Sequence, residues 1–248
     1  MMKHRQWLVM FGAGLLFLSL LLFTIHYLIF QDIHHILIYT IHDIAFLPIE
    51  VLLVTIVIHS MLESQNLQQK LEKLNIVIGA FYSSVGVQLL RTFSRYDPNL
   101  GKVRADLLVS SSWKAADFKQ HQKNITQYLF MVDIHQVDLY ELKELLLTHE
   151  DFLLRILENP VMLEHELFTD VLRAVSHLTE ELKNRNDITT LPESDLAHLQ
   201  GDIKRAYSQM TRSWLEYMQY QQTNYPYLFS LAVRTNPFAE HPDVCVRE

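Results

Sequence analysis

A short polar connector between two apolar runs carries Asp32, His34, His35, His42 and Asp43. Imidazole and carboxylate are good ligands for zinc, nickel or copper. On a helix, His35 and His42 would stand two turns, about 10 Å, apart. That is too far for one ion without a bent backbone or a second chain. The preferred reading is a solvated interfacial stripe, with His34, His35 and His42 kept as candidate metal ligands. Haem would need facing histidines around a large apolar pocket, which the pattern does not supply. His26 and Glu50 form the second constellation, because an ionisable group inside a membrane is costly and is a functional hypothesis by default. Counted inward from the connector, both lie roughly 6–10 Å deep at ~1.5 Å per residue. They are placed to pair across a helical hairpin as a proton- or ligand-sensitive site. The structural alternatives are a plain interhelical hydrogen bond, or solvation by outer-leaflet water beside Pro48.

Further along, His149-Glu150-Asp151, Glu164-His165-Glu166 and Asp195-Leu196-Ala197-His198 have ligand chemistry but no recurring geometry. No Glu-x-x-His pair repeats on two helices, as a di-iron bundle requires. Glu166, Asp170, Arg173, His177 and Glu181 share one helical face, which reads as a solvated charged face. There is no His-Glu-x-x-His, Walker A, Gly-x-Ser-x-Gly or Rossmann glycine pattern. No catalytic residue and no cofactor is assigned, although carboxylates gathered by the fold escape such a search. Aromatic residues crowd the C-terminal region: Tyr217, Tyr220, Tyr225, Tyr227, Phe229 and Phe238. With Arg234, the last four make a candidate docking surface, since Tyr and Arg are frequent hot-spot residues. The structural alternative is a C-terminal segment that folds back to seal a bundle.

The elements that must position these residues begin with Trp7 to Phe30, an apolar run long enough at ~1.5 Å per residue to cross a ~30 Å hydrocarbon core. It outlasts a signal-peptide core and is followed by no small-residue cleavage pattern. The second run, Ile44 to Leu62, contains Pro48, Glu50 and His59, with Asp43 as its expected N-cap. Lys3 and Arg5 flank the first run, Lys70 and Lys73 follow the second, and residues 31–43 contain no Lys or Arg. The positive-inside rule then puts both termini in the cytoplasm. The connector is either an interfacial amphipathic helix or the start, near Ile36, of one continuous kinked second helix.

Beyond the membrane Leu67, Leu71, Leu74, Ile78, Phe81, Val85 and Leu89 keep a 4-3-4-3 spacing, the seam of a coiled coil or tight bundle. It closes against a second copy or against the chain's own domain, and self-association through Leu67, Leu71, Leu74, Ile78, Phe81 and Val85 is the favoured reading. Gly79, Ser83 and Gly86 add a small-residue stripe. After the turn at Asp97–Gly101, helices are expected from Ser112 to about Phe130, from Asp138 to about Glu158, over Val161 to Arg185, and from Glu193 to about Gln222. The layout is a membrane anchor over 1–62 (spans about 7–30 and 44–62, outer connector 31–43), a stalk helix over 63–97, and a cytoplasmic helical bundle over 98–248. The fold class is all-α: a two-helix transmembrane hairpin, a coiled-coil-like stalk and a soluble helical bundle. Of 248 residues only 6 are Gly and 7 Pro, which argues against a turn-dense β fold, and one cysteine allows no disulfide within the chain. A net charge of −7 is a poor footing for nucleic acid.

Three stretches, Asp43 to Ile58, Leu71 to Phe81 and Tyr225 to Phe238, resemble a group of uncharacterised prokaryotic membrane proteins with two N-terminal spans and a helical C-terminal region. The resemblance covers most of the chain. It implies the layout and a prokaryotic inner-membrane setting, and it carries over no functional residue. The expected function is a membrane-anchored helical interaction or scaffold protein. Its partners are the lipid bilayer and either a second copy or another membrane protein. A sensor or transport-accessory subunit and a membrane-tethered enzyme are the competing readings.

Overall fold

A computed structural model describes residues 2–160, 162 and 165–245, and among these the chain is all-α with no strand. It divides into two units, residues 1–66 and 67–248.

The first unit holds helix α1 (Met2–Phe30) and α2 (Ile33–Phe81) as far as Asn66, joined by Gln31 and Asp32. Gln31 adopts a left-handed φ of 50°, and its N–H donates to the Tyr27 carbonyl at 2.9 Å, which closes α1. Asp32 then caps α2: its Oδ1 accepts the His35 N–H at 3.1 Å. The connector is therefore this two-residue turn, and the expected cap at Asp43 is corrected, since Asp43 lies inside a continuous helix. Pro48 is also internal to α2, where it removes one backbone donor. Neither apolar stretch is covered by protein: Leu16, Phe17 and Leu20 are 75%, 69% and 71% exposed.

The second unit starts with the rest of α2. A π-helical turn, Tyr82–Gly86, leads into α3 (Val87–Arg95). Short helix α4 (Arg104–Leu107) precedes α5 (Ala115–Gln127), whose first turn is closed by the Lys114 N–H donating to Asp117 Oδ2 at 2.8 Å. Asp138 caps α6 (Leu139–Thr148) as its position predicts, accepting the Glu141 N–H at 2.9 Å. That helix breaks at His149, and α7 (Glu150–Leu157) follows as a separate element. The helix expected from Val161 begins as α8 (Glu166–Lys183), its N-cap the imidazole of His165; Val161, Leu163 and Glu164 lie outside the described residues. Helices α9 (Glu193–Asn224) and α10 (Pro226–Arg234) complete the unit.

The core is organised around α9, against which α3, α5, α8 and α10 pack. Tyr207, Met210, Trp214 and Met218 of α9 meet Phe81, Leu89, Phe93, Phe118 and Phe168 in one buried cluster. Leu74, Ile78, Phe81 and Val85 belong to that cluster, so four of the six seam positions are spent inside this chain. This corrects the assignment of these four to self-association: they are buried within the chain, with the Phe81 ring edge-on to Phe168 at 5.4 Å. Leu67 and Leu71 remain exposed. The C-terminal segment folds back. Phe238 is buried on Trp214 (ring centroids 5.3 Å apart), and Asn236 Nδ2 donates to the Leu107 carbonyl at 2.9 Å.

Candidate functional site

At the mouth of the hairpin, His26 faces His35 rather than Glu50. The two imidazoles lie 6.3 Å apart, and with Phe23, Ile36 and Tyr39 they line a cavity of about 250 Å³. His26 Nε2 is buried there without a hydrogen-bond partner. Among the described residues the Glu50 side chain is exposed and makes no hydrogen bond or ion pair, so the expected His26–Glu50 pair does not form. The ring of His35 leans on Tyr39, and His34 and His42 do not converge with it on a common point.

In the second unit, a cavity of about 530 Å³ opens between α2, α9 and α10. Its walls are mainly apolar, from Ile76, Val87, Trp214, Leu228 and Leu231. The π-helical turn contributes Tyr82 and Ser83, and such turns recur at functional sites. Tyr82 and Tyr217 stack at 5.5 Å, and burial pushes both hydroxyls above their ordinary range. Gly79 makes room for that stack, since a Cβ there would fall 2.6 Å from the Tyr217 hydroxyl. Gln221 Nε2 donates to the same hydroxyl at 2.6 Å, while the other end of its buried amide has no partner among the described residues. Of the aromatic residues expected to dock a partner, Phe229 and Phe238 are instead core residues, which corrects their assignment. Tyr225 borders the cavity, Tyr227 is 72% exposed, and Arg234 is engaged by Ser230 and the Val244 carbonyl.

The third grouping matches no local sequence motif and is assembled by the fold from two helices. The connector from Asn184 to Pro192 turns α9 antiparallel to α8, and Asp187 holds it by accepting from the N–H and hydroxyl of Thr189 and the hydroxyl of Thr190. Arg185 fastens the pair with two bonds of 2.7 Å to Asp195 and one of 2.7 Å to Glu181. That guanidinium holds both carboxyls below their usual range. One turn further from the loop on each helix, His177 and Glu181 of α8 face His198 and Asp202 of α9. Each pair is a His-x-x-x-carboxylate at i,i+4 spacing, which puts both groups on one helix face. The sequence carries the signal as two His-x-x-x-carboxylate pairs on helices joined by a short connector, a spacing distinct from the Glu-x-x-His of a di-iron bundle.

Residues 70–234 match the family model described as Uncharacterized protein MJ1433, C-terminal helical domain, and residues 2–62 match MJ1433, N-terminal helical domain. Over 237 residues the chain is 43% identical to Uncharacterized protein MJ1433 of Methanocaldococcus jannaschii, covering 96% of this chain and 95% of that relative. No solved structure matches the chain. Across both its helical domains, the chain belongs to the MJ1433 family.

Proposed function

We propose that this is a membrane-anchored helical binding protein. Its N-terminal hairpin lies in the cell membrane with both termini on the cytoplasmic side, and its second unit holds a partner membrane protein. The observation that carries the anchor is the uncovered state of two stretches with mean hydropathy 2.2, one in α1 and one in α2. A soluble core helix of that composition would be buried. The hydroxyls of Thr24, Thr40 and Thr55 are compatible with the reading, each donating to the carbonyl four residues earlier at 2.8, 2.8 and 2.6 Å, as helical threonines of the second unit also do. Internal satisfaction of polar groups is what a bilayer demands. Orientation follows from Lys3, Arg5, Lys70 and Lys73 against a turn without basic residues.

The binding role rests on the cavity beside Tyr82 and Tyr217, which has the size and apolar lining of a pocket for an anchoring side chain. Ile76 and Leu231 stand exposed on its edges. The test has two arms. Carbonate-washed membranes should retain the full chain, and release without detergent rejects the anchor. A photo-reactive residue at Leu231 should give one discrete adduct in intact membranes, lost in Gly79→Leu. A smear of products, or an adduct indifferent to Gly79→Leu, rejects the binding surface.

A second reading, a sensor or transport-accessory subunit, is favoured by one observation, the unpartnered His26 Nε2 beside His35. In that reading His26→Ala or Glu50→Gln changes the yield of the Leu231 adduct, whereas a plain anchor leaves it unchanged.

A further inference from the structure

His177, Glu181, His198 and Asp202 present one ligand atom each, all within 4.8 Å of one another. The Nε2 atoms of His177 and His198 lie 3.5 and 3.4 Å from Asp202 Oδ2. They stand 3.8 and 3.6 Å from the Glu181 carboxylate oxygens. These separations exceed the ~2.7–3.2 Å of N–H···O hydrogen bonds. They match the edge of a tetrahedron around an ion bound at ~2.1 Å, which is ~3.4 Å. The four groups thus face one another at ligand spacing without hydrogen-bonding to one another.

A second observation points the same way. The side chain of Asp202 is 3% exposed, and its Oδ2, aimed at both imidazoles, has no hydrogen-bond partner. Leaving a buried carboxylate oxygen unsatisfied is expensive unless something else is bound there. Meanwhile the outer oxygen of Asp202 is taken, since Arg205 Nη1 donates to Oδ1 at 3.1 Å, whereas Glu181 Oε2 both faces His198 and accepts from Arg185 Nη1 at 2.7 Å, which leaves Oε1 turned to His177. The outer contact orients Asp202 as a single-oxygen ligand through Oδ2, and Arg185 fixes the orientation of the Glu181 carboxylate. A solvated charged face explains the exposed histidines, but it does not explain a buried carboxylate oxygen that sits between them without a hydrogen bond.

We propose that these four residues bind one divalent transition-metal ion of the zinc class, linking α8 to α9. Two imidazoles and two carboxylates suit zinc, cobalt or nickel; magnesium and calcium prefer oxygen alone. Four protein ligands close the coordination shell, which makes the ion a structural staple rather than a Lewis acid with an open position.

The test uses the full chain in detergent, stripped with chelator and titrated with zinc. One ion binds per chain, the melting temperature rises, and cobalt in place of zinc gives the intense visible bands of a four-coordinate site. His177→Gln with His198→Gln, two partly exposed positions, keeps the helical circular-dichroism spectrum. It lowers zinc affinity by more than ~100-fold, beyond what loss of an outer-shell contact costs. His34→Gln with His35→Gln and His42→Gln leaves the affinity unchanged. No zinc bound at micromolar concentration overturns the site. So does a double variant that binds like wild type, a triple hairpin variant that abolishes binding, or a weak six-coordinate cobalt spectrum.

Discussion

The Tyr82 hydroxyl donates to the Met210 carbonyl at 2.7 Å, tying the π-helical turn after α2 to the middle of α9. Both residues are buried, so the bond is shielded from water. Tyr82→Phe keeps the stacked ring and removes this bond together with the hydroxyl's interaction with the Ser213 side chain. It should lower unfolding free energy by about 1 kcal/mol, read as a fall in melting temperature of the detergent-solubilised chain. No fall would mean that ring packing alone holds the turn.

Gly86 ends that turn in contact with its own aromatic neighbours. A Cβ there would lie 2.8 Å from carbons of both the Phe81 and Tyr82 rings, and neither ring has free space to retreat into. Gly86→Ala gains about 1 kcal/mol of helix propensity but overpacks the core at a cost of roughly 1–3 kcal/mol. The net expectation is destabilisation. Gly101→Ala, where a Cβ meets nothing, serves as the control. A Gly86→Ala chain that melts at or above wild type would show that the turn rearranges.

Much of this architecture was readable from residue pattern. The spacing of Leu74, Ile78, Phe81 and Val85 identified a buried face correctly, but periodicity names a face and not its partner, and here the partner is the chain's own α8 and α9. Asp138 was legible as a cap because it precedes an apolar run. Asp43 misled for the same reason: Gln31 in a left-handed conformation let Asp32 start the helix eleven residues earlier. The cavity was hidden because nothing local marks Tyr82–Gly86 as π-helical. In the sequence alone, His177 and Glu181 read as part of a charged helical face. Only the antiparallel return of α9 brings His198 and Asp202 against them.

The C-terminal segment divides into sealing and exposed residues. Phe238 is buried against Trp214, and Ser94 Oγ donates to the neighbouring Pro237 carbonyl at 3.3 Å. Phe238→Ala should cost about 3–5 kcal/mol. Tyr227→Ala, at an exposed position, should stay within about 0.5 kcal/mol of wild type. Equal melting temperatures for the two variants would reject the sealing role.

Asp97 supplies a pH dependence of definite sign. Burial raises its carboxyl above the ordinary range, even though the Tyr128 hydroxyl donates to it at 2.8 Å and the Asn99 N–H at 3.0 Å. Tyr207 and Arg104 are the other titratable groups near this corner. A carboxyl with a raised folded pKa contributes stability that is full below its unfolded value of about 3.9 and is lost as pH rises through the folded value. Asp97→Asn retains an acceptor for Tyr128 and cannot ionise. The stability of the variant relative to wild type should therefore climb as pH is raised from about 3 to 7, and level off once the native carboxyl is ionised. Melting temperatures of both chains across that range give the curve. A difference that falls with pH would mean that the hydrogen bonds from Tyr128 and Asn99 outweigh desolvation, and that the ionised Asp97 is the form the fold prefers.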